Sequence, residues 1–127
     1  MIIKFRGKTI KGEWCYGNLS ILKQRLDDVD AGYYISNEIG MPFAFKVIPK
    51  TVGQFTGIID RNKKEIYKDD IVKIKHRYDD LGIVLWDIHG CWITNKRDLN
   101  TCFRLNVTSA DEVVGNIHDN TELLKCI

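Results

Sequence analysis

What the 127-residue chain lacks bounds it before any motif does. No apolar run approaches the roughly 20 residues a helix needs to cross a bilayer, and Met1-Ile2-Ile3-Lys4-Phe5 lacks the apolar core of a signal peptide. A cytoplasmic protein with no membrane partner is therefore expected. The four cysteines, Cys15, Cys91, Cys102 and Cys126, include no C-x-x-C pair. A four-thiolate zinc site nearly always draws two ligands from one turn, so structural zinc is not expected. In a reducing compartment these thiols read as small buried residues rather than disulfides. His76, His89 and His118 have no histidine partner at i+2 or i+4. A metal site built from His76, His118 and a carboxylate is thus a weaker reading than surface or hydrogen-bonded histidine. No stretch sustains a 3.6-residue apolar period for a dozen positions, which excludes a long helix.

What is present reads as short strands. Ile2 to Phe5 and Glu13 to Ser20 have β character, with Gly7 and Lys8 expected to turn the chain between them. Leu26 to Gly32 carries three aspartates and low β propensity, and is expected to be a mobile loop. Tyr33 to Ile35 and Phe43 to Ile48 are aromatic and β-branched strands, the second ended by Pro49. Val52 to Asp60 and Lys64 to Tyr67 flank the turn Asp60-Arg61-Asn62-Lys63. Ile71 to Arg77 places Val72, Ile74 and His76 on one face and Lys73, Lys75 and Arg77 on the other. Gly82 to Asp87, Cys91 to Asn95, Cys102 to Val107 and Val113 to Ile117 complete the set, and Asp119 or Asn120 can cap a short helix through Leu124. The expected fold is mainly β. It consists of one or two small, highly curved barrels, SH3-like in the C-terminal half, with only short helical turns. One domain, residues 1–127, is expected, with sub-barrels near 1–60 and 61–127.

No constellation compels a chemistry. Gly53 and Gly57 lie four apart, but neither the Lys-Ser/Thr pair nor the following helix of a phosphate loop is there. Glycines in a strand mark bends or close packing, or else this segment offers Thr51, Gln54 and Thr56 to a protein partner. The pairs Asp27-Asp28, Asp69-Asp70 and Asp79-Asp80 could in principle hold magnesium, yet neighbours on a strand face opposite ways. Trp86 and Trp92, with Trp14, Tyr16, Phe43 and Phe45, could form a stacking platform for single-stranded nucleic acid beside Lys73, Lys75 and Arg77. The competing reading is aromatic core beneath a soluble lysine face. No nucleophile, base and oxyanion donor assemble from adjacent motifs, so a non-enzymatic protein without cofactor is expected.

The block IPKTVGQFTGIIDRNKKEIYKDDIVKI, Ile48 to Ile74, resembles the signature of the YopX family. Ile3-Lys4-Phe5-Arg6 resembles that family's opening, and Trp14 with Tyr16-Gly17-Asn18-Leu19 its second strand. Glu112-Val113-Val114-Gly115-Asn116-Ile117, followed by Asp119-Asn120-Thr121-Glu122-Leu123-Leu124, resembles its ending. Lys63, Asp69 and Thr121 stand where the pattern has glycine, glycine and proline. The tryptophan that often follows the opening Phe-Arg is missing. The resemblance implies an ordered β fold and an origin in a phage or prophage of low-GC Gram-positive bacteria; it implies no particular reaction.

The net charge of +2 conceals blocks of opposite sign. Residues 1–25 carry six basic residues and one acidic, whereas residues 78–127 carry four basic and eight acidic. A nucleic-acid domain usually shows a basic stripe without such a counterpart. The blocks, together with short strands whose edges need cover, predict a homo-oligomer, a dimer or larger ring, that meets an unknown phage or host protein. The expected core is Phe5, Trp14, Phe55, Ile58, Ile66, Tyr67, Ile71, Val72, Ile74, Val84, Trp86, Val113 and Ile117.

Overall fold

The computed structural model describes residues 3–37, 44–73, 81–87, 90–95, 102–104 and 112–124, with backbone alone at 87, 90–95, 102–104 and 124. The fold is mainly β and antiparallel. The described helical elements are two 3-10 turns, Pro49–Thr51 and Thr121–Leu124. No helix among the described residues is long and apolar enough to cross a membrane. The chain divides into two compact units, Met1–Gln54 and Phe55–Ile127.

In the first unit β1 (Phe5–Lys8) pairs with β2 (Trp14–Leu22), β2 with β3 (Gly32–Ser36), and β3 with β4 (Phe45–Val47). β5 (Gly53–Ile59) enters by pairing Gln54 with Phe5 and Gly53 with Arg6. Gly7 and Lys8 do not turn the chain, because both lie inside β1. The turn is one step later, where Thr9 N donates to Glu13 O at 2.9 Å and Gly12 N to Thr9 O at 2.9 Å, with Gly12 at φ +88°. Gly7 serves packing instead: a Cβ there would lie 2.8 Å from Val47 Cγ2. Among the described residues of the first unit, Ile35 and Val47 are the buried apolar ones. The segment expected to be a mobile loop is a hairpin tip. Leu26 and Val29 exchange both backbone hydrogen bonds, at 3.0 and 2.9 Å, around Asp27-Asp28, with Asp27 at φ 52°.

In the second unit the rest of β5 pairs with β6 (Glu65–Tyr67), with a register shift between Phe55 and Ile59 where Gly57 takes φ +83°. β7 (Asp70–Lys73) lies between β8 (Leu81–Asp87) and β11 (Glu112–Asn116). β8 pairs with β9 (Gly90–Asn95) and β9 with β10 (Cys102–Arg104), giving the order β10-β9-β8-β7-β11. Ile71 and Val72 are both fully buried although they point to opposite sides, so β7 is covered on both faces. Ile58, Ile66, Val72 and Val84 form the central cluster, with Val113 packed on it. Truncating any one of these isoleucines to alanine costs about 2–5 kcal/mol. Phe55 and Tyr67 add a tilted ring pair, 5.5 Å between centroids.

Phe55, Ile58, Ile66, Tyr67, Ile71, Val72 and Val84 are buried, as expected from the sequence. Phe5, Trp14, Trp86, Val113 and Ile117 are only half-buried, and Ile74 lies outside the described residues. The C-terminal turn is 3-10, and the Asn120 side chain before it faces back toward the strand: its Oδ1 accepts from Asn116 N at 3.2 Å. That oxygen would lie 2.5 Å from a Cβ at position 115, a place only glycine fills.

Candidate functional site

The buried polar residues of the second unit are structural clasps. Asp60 closes the β5–β6 turn through Oδ1, which accepts from Asn62 N and Lys64 N, both at 2.8 Å. Its Oδ2 accepts from Val113 N at 3.0 Å. Burial alone would push this carboxyl up. The Val113, Lys64 and Asn62 amides and the nearby Lys64 charge outweigh burial and hold it below the ordinary carboxylate value. Asp70 Oδ2 accepts from Tyr67 N at 2.7 Å, pinning the β6–β7 turn. Asp69, at φ 74°, places Oδ2 3.2 Å from His118 Nε2 and both carboxylate oxygens 3.3 Å from Lys68 Nζ. Asp69 O accepts from Ile117 N at 3.0 Å, so one residue ties the β6–β7 turn to the segment after β11. The Asp69-Asp70 pair is thus a folded turn. Asp79-Asp80, His76 and His89 lie outside the described residues.

Of the three residues proposed for a protein partner, two face inward. Thr51 is buried; its hydroxyl donates to Ile48 O at 2.6 Å and accepts from Lys8 N at 2.9 Å, fastening the 3-10 turn to the end of β1. Thr56 is buried as well, donating to Ile66 O at 2.7 Å across β5 and β6. Gln54 is half-buried opposite Phe5. Hydroxyls committed to main-chain carbonyls shape the strand rather than greet a partner. In the basic strand Lys73 is exposed, opposite Glu112 and Leu81. Lys75 and Arg77 lie outside the described residues, and Trp92 is placed only by its backbone, between Leu85 and Arg104.

No group of three or more metal-ligating side chains converges among the described residues. Cys15 is a half-buried free thiol; burial, then the charge of Glu13, pushes its pKa up, which opposes nucleophilic use.

What the sequence did not single out is the surface of the first unit. Among the described residues, six of the nine exposed large apolar side chains fall there: Ile3, Ile10, Tyr16, Ile21, Leu26 and Val29. Pairing and alternation set Arg6, Lys8, Trp14, Tyr16, Ser20, Tyr34 and Lys46 on one face of this sheet. The Arg6 guanidinium lies 4.9 Å from the Trp14 ring centroid and Lys8 Nζ 5.8 Å from it. These are cation–π contacts that hold the indole against the strand. Ile10 and Leu26 carry no periodic signal that would mark them in sequence, since each sits in a turn.

The family model described as YopX protein matches residues 4–125 of the chain. The chain is also similar to a solved structure, the crystal structure of protein EF1440 from Enterococcus faecalis. The two share 20% identity over 98% of this chain and 99% of that one, with a TM-score of 0.58, a likeness of fold. No curated protein matches the chain.

Proposed function

The chain belongs to the YopX protein family, and we propose that it is a phage- or prophage-encoded accessory protein, a non-enzymatic module that works as a homo-oligomer in the host cytoplasm. The observation that carries this reading is the exposure of large apolar side chains on the two turns that bound β2, Ile10 before it and Leu26 with Val29 after it. Scattered exposed apolar residues are ordinary, but Leu26 and Val29 stand side by side on a hydrogen-bonded turn, and such an apolar tip on ordered backbone suits a protein contact. The clasps at Asp60, Asp69 and Thr51 support it from the other direction, because they engage polar groups that a reactive centre would leave free to meet substrate. We read the order β10-β9-β8-β7-β11 as SH3-like, a frame that holds the molecule together while its surface meets a further phage or host protein. Size-exclusion chromatography with light scattering tests the reading. A mass that is a multiple of 14.7 kDa at micromolar concentration is expected; a mass held at one protomer throughout a dilution series overturns it.

A second reading, a nucleic-acid-binding protein, draws on the face that carries Arg6, Lys8 and Lys46 among Trp14, Tyr16 and Tyr34. Trp14 and Tyr16 are two residues apart on one strand face, roughly 7 Å, a spacing that an extended single strand can match base by base. Arg6 is buried, however, and Arg6 and Lys8 already lie against Trp14, which leaves few cations for phosphates.

A further inference from the structure

Strand β2 ends in an exposed apolar tip at each side, and the two tips differ in charge. Before β2, the Thr9–Glu13 turn exposes Ile10 to 91% with the exposed Lys11 beside it. After β2, the hairpin tip exposes Leu26 to 60% and Val29 to 47% around Asp27 and Asp28. Arg25 is engaged by Asp30, so the exposed Asp27 and Asp28, set against the single exposed Lys23, leave that end negative. Both tips are closed by their own backbone. Thr9 adds an Oγ1 acceptor for Glu13 N at 3.2 Å, and the Tyr34 hydroxyl ties Asp30 O at 2.7 Å below the second tip. An ordered turn that presents an aliphatic side chain to water is unfavourable alone, and it loses little entropy when covered.

The nine residues of β2 hold the tips roughly 30 Å apart, so they cannot meet within one chain. They can meet between chains. We propose that the Ile10 turn of one copy packs on the Leu26–Val29 tip of another, with Lys11 set against Asp27 and Asp28. This rests on the homo-oligomer reading and names its surface: the occupant of each tip is a second copy of this chain, chosen by apolar match and opposite charge. Each interface then draws different residues from its two sides, and each protomer carries one of each.

That asymmetry gives the test. Ile10→Glu sets like charge against the aspartates, and Leu26→Lys sets like charge against Lys11; both positions are exposed, so far-ultraviolet circular dichroism should match the wild type. Each variant alone is expected at 14.7 kDa under conditions where the wild type is oligomeric. An equimolar mixture is expected to recover a species with one protomer of each kind by native mass spectrometry, because one intact turn meets one intact tip. Recovery also shows that both variants are folded, and the milder Lys11→Glu, expected to weaken association, covers any that are not. A wild type that is monomeric overturns this proposal and the homo-oligomer reading together. An oligomeric wild type whose two variants keep its mass overturns the proposal alone. So does a folded pair of monomeric variants that stays monomeric on mixing.

Discussion

Asp60 in the β5–β6 turn accepts a hydrogen bond from the backbone of Val113 in β11, 3.0 Å away across 53 positions of chain. The same carboxylate closes its own turn through Asn62 and Lys64. One carboxylate therefore serves both its own turn and the edge of β11. Asn62 Nδ2 adds a bond to Glu112 Oε1 at 3.1 Å beside it.

Asp60→Asn keeps one oxygen but turns an N–H toward an N–H, and is expected to destabilise by about 1–3 kcal/mol. The pH profile separates charge from shape. Because the folded carboxyl titrates below its unfolded value near 3.9, its stabilisation is complete above that value and is lost as pH falls through the folded one. Chemical denaturation from pH 7 down to pH 2 should show a steeper loss for the wild type than for Asp60→Asn below about pH 4. Parallel profiles would mean that the charge contributes nothing.

Lys63 and Asp69, which stand where the family pattern has glycine, both have left-handed backbone, at φ 64° and 74°. A side chain there costs roughly 1–2 kcal/mol. Lys63 is exposed, so Lys63→Gly is expected to raise the thermal midpoint by a few degrees, net of glycine's unfolded-state entropy. Asp69→Gly gains the same relief but removes a partner of the nearly enclosed His118, so its midpoint is expected to fall. Calorimetry that finds both midpoints raised would show that the Asp69–His118 pair does not stabilise the fold.

Gly7→Ala would set a methyl 2.8–2.9 Å from Val47 inside the first unit, an overlap expected to cost about 1–3 kcal/mol. Val47→Ala alone should also destabilise, through lost burial. Combined, the two should cost less than their sum, because the added methyl occupies space the valine vacates. Additive costs in a double-mutant cycle would show that the two residues do not share that space.

The strands and most of the second unit's core were legible because apolar β-branched and aromatic runs are local: Ile58, Ile66, Val72 and Val84 each lie in such a run, which marks a buried strand without help from elsewhere. The family block was legible for the same reason. What sequence could not show is where non-local pairing spends polar groups. Thr51 and Thr56 have the composition of a recognition surface and become internal clasps only because Lys8 N and Ile66 O come within reach. Gly7 read as a turn because glycine usually marks one, whereas here it admits Val47 from a strand 40 positions away. Ile35 and Val47 were missed as core because aromatic neighbours dominated those short strands. The segment 26–29 read as a loop because low β propensity describes a free chain, whereas Leu26 and Val29 bridge beyond the end of the β2–β3 pair.

Single-stranded oligonucleotides are expected to bind no more tightly than micromolar at physiological salt. The candidate face of the first unit has Lys46 exposed, while Arg6 and Lys8 lie against Trp14, so roughly one to three phosphates could be neutralised. Each phosphate contributes a slope of about 0.7 in log affinity against log salt for a single strand, and so few give neither tight nor steeply salt-dependent binding. Fluorescence anisotropy over a salt series decides it, with two variant sets to locate any signal. Tyr16→Ala with Lys46→Glu probes the first-unit face, and glutamate at Lys73, Lys75 and Arg77 with Trp92→Ala probes the basic strand. Submicromolar binding that falls steeply with salt, and is lost in either set, would put nucleic acid ahead of self-association and identify the unit responsible.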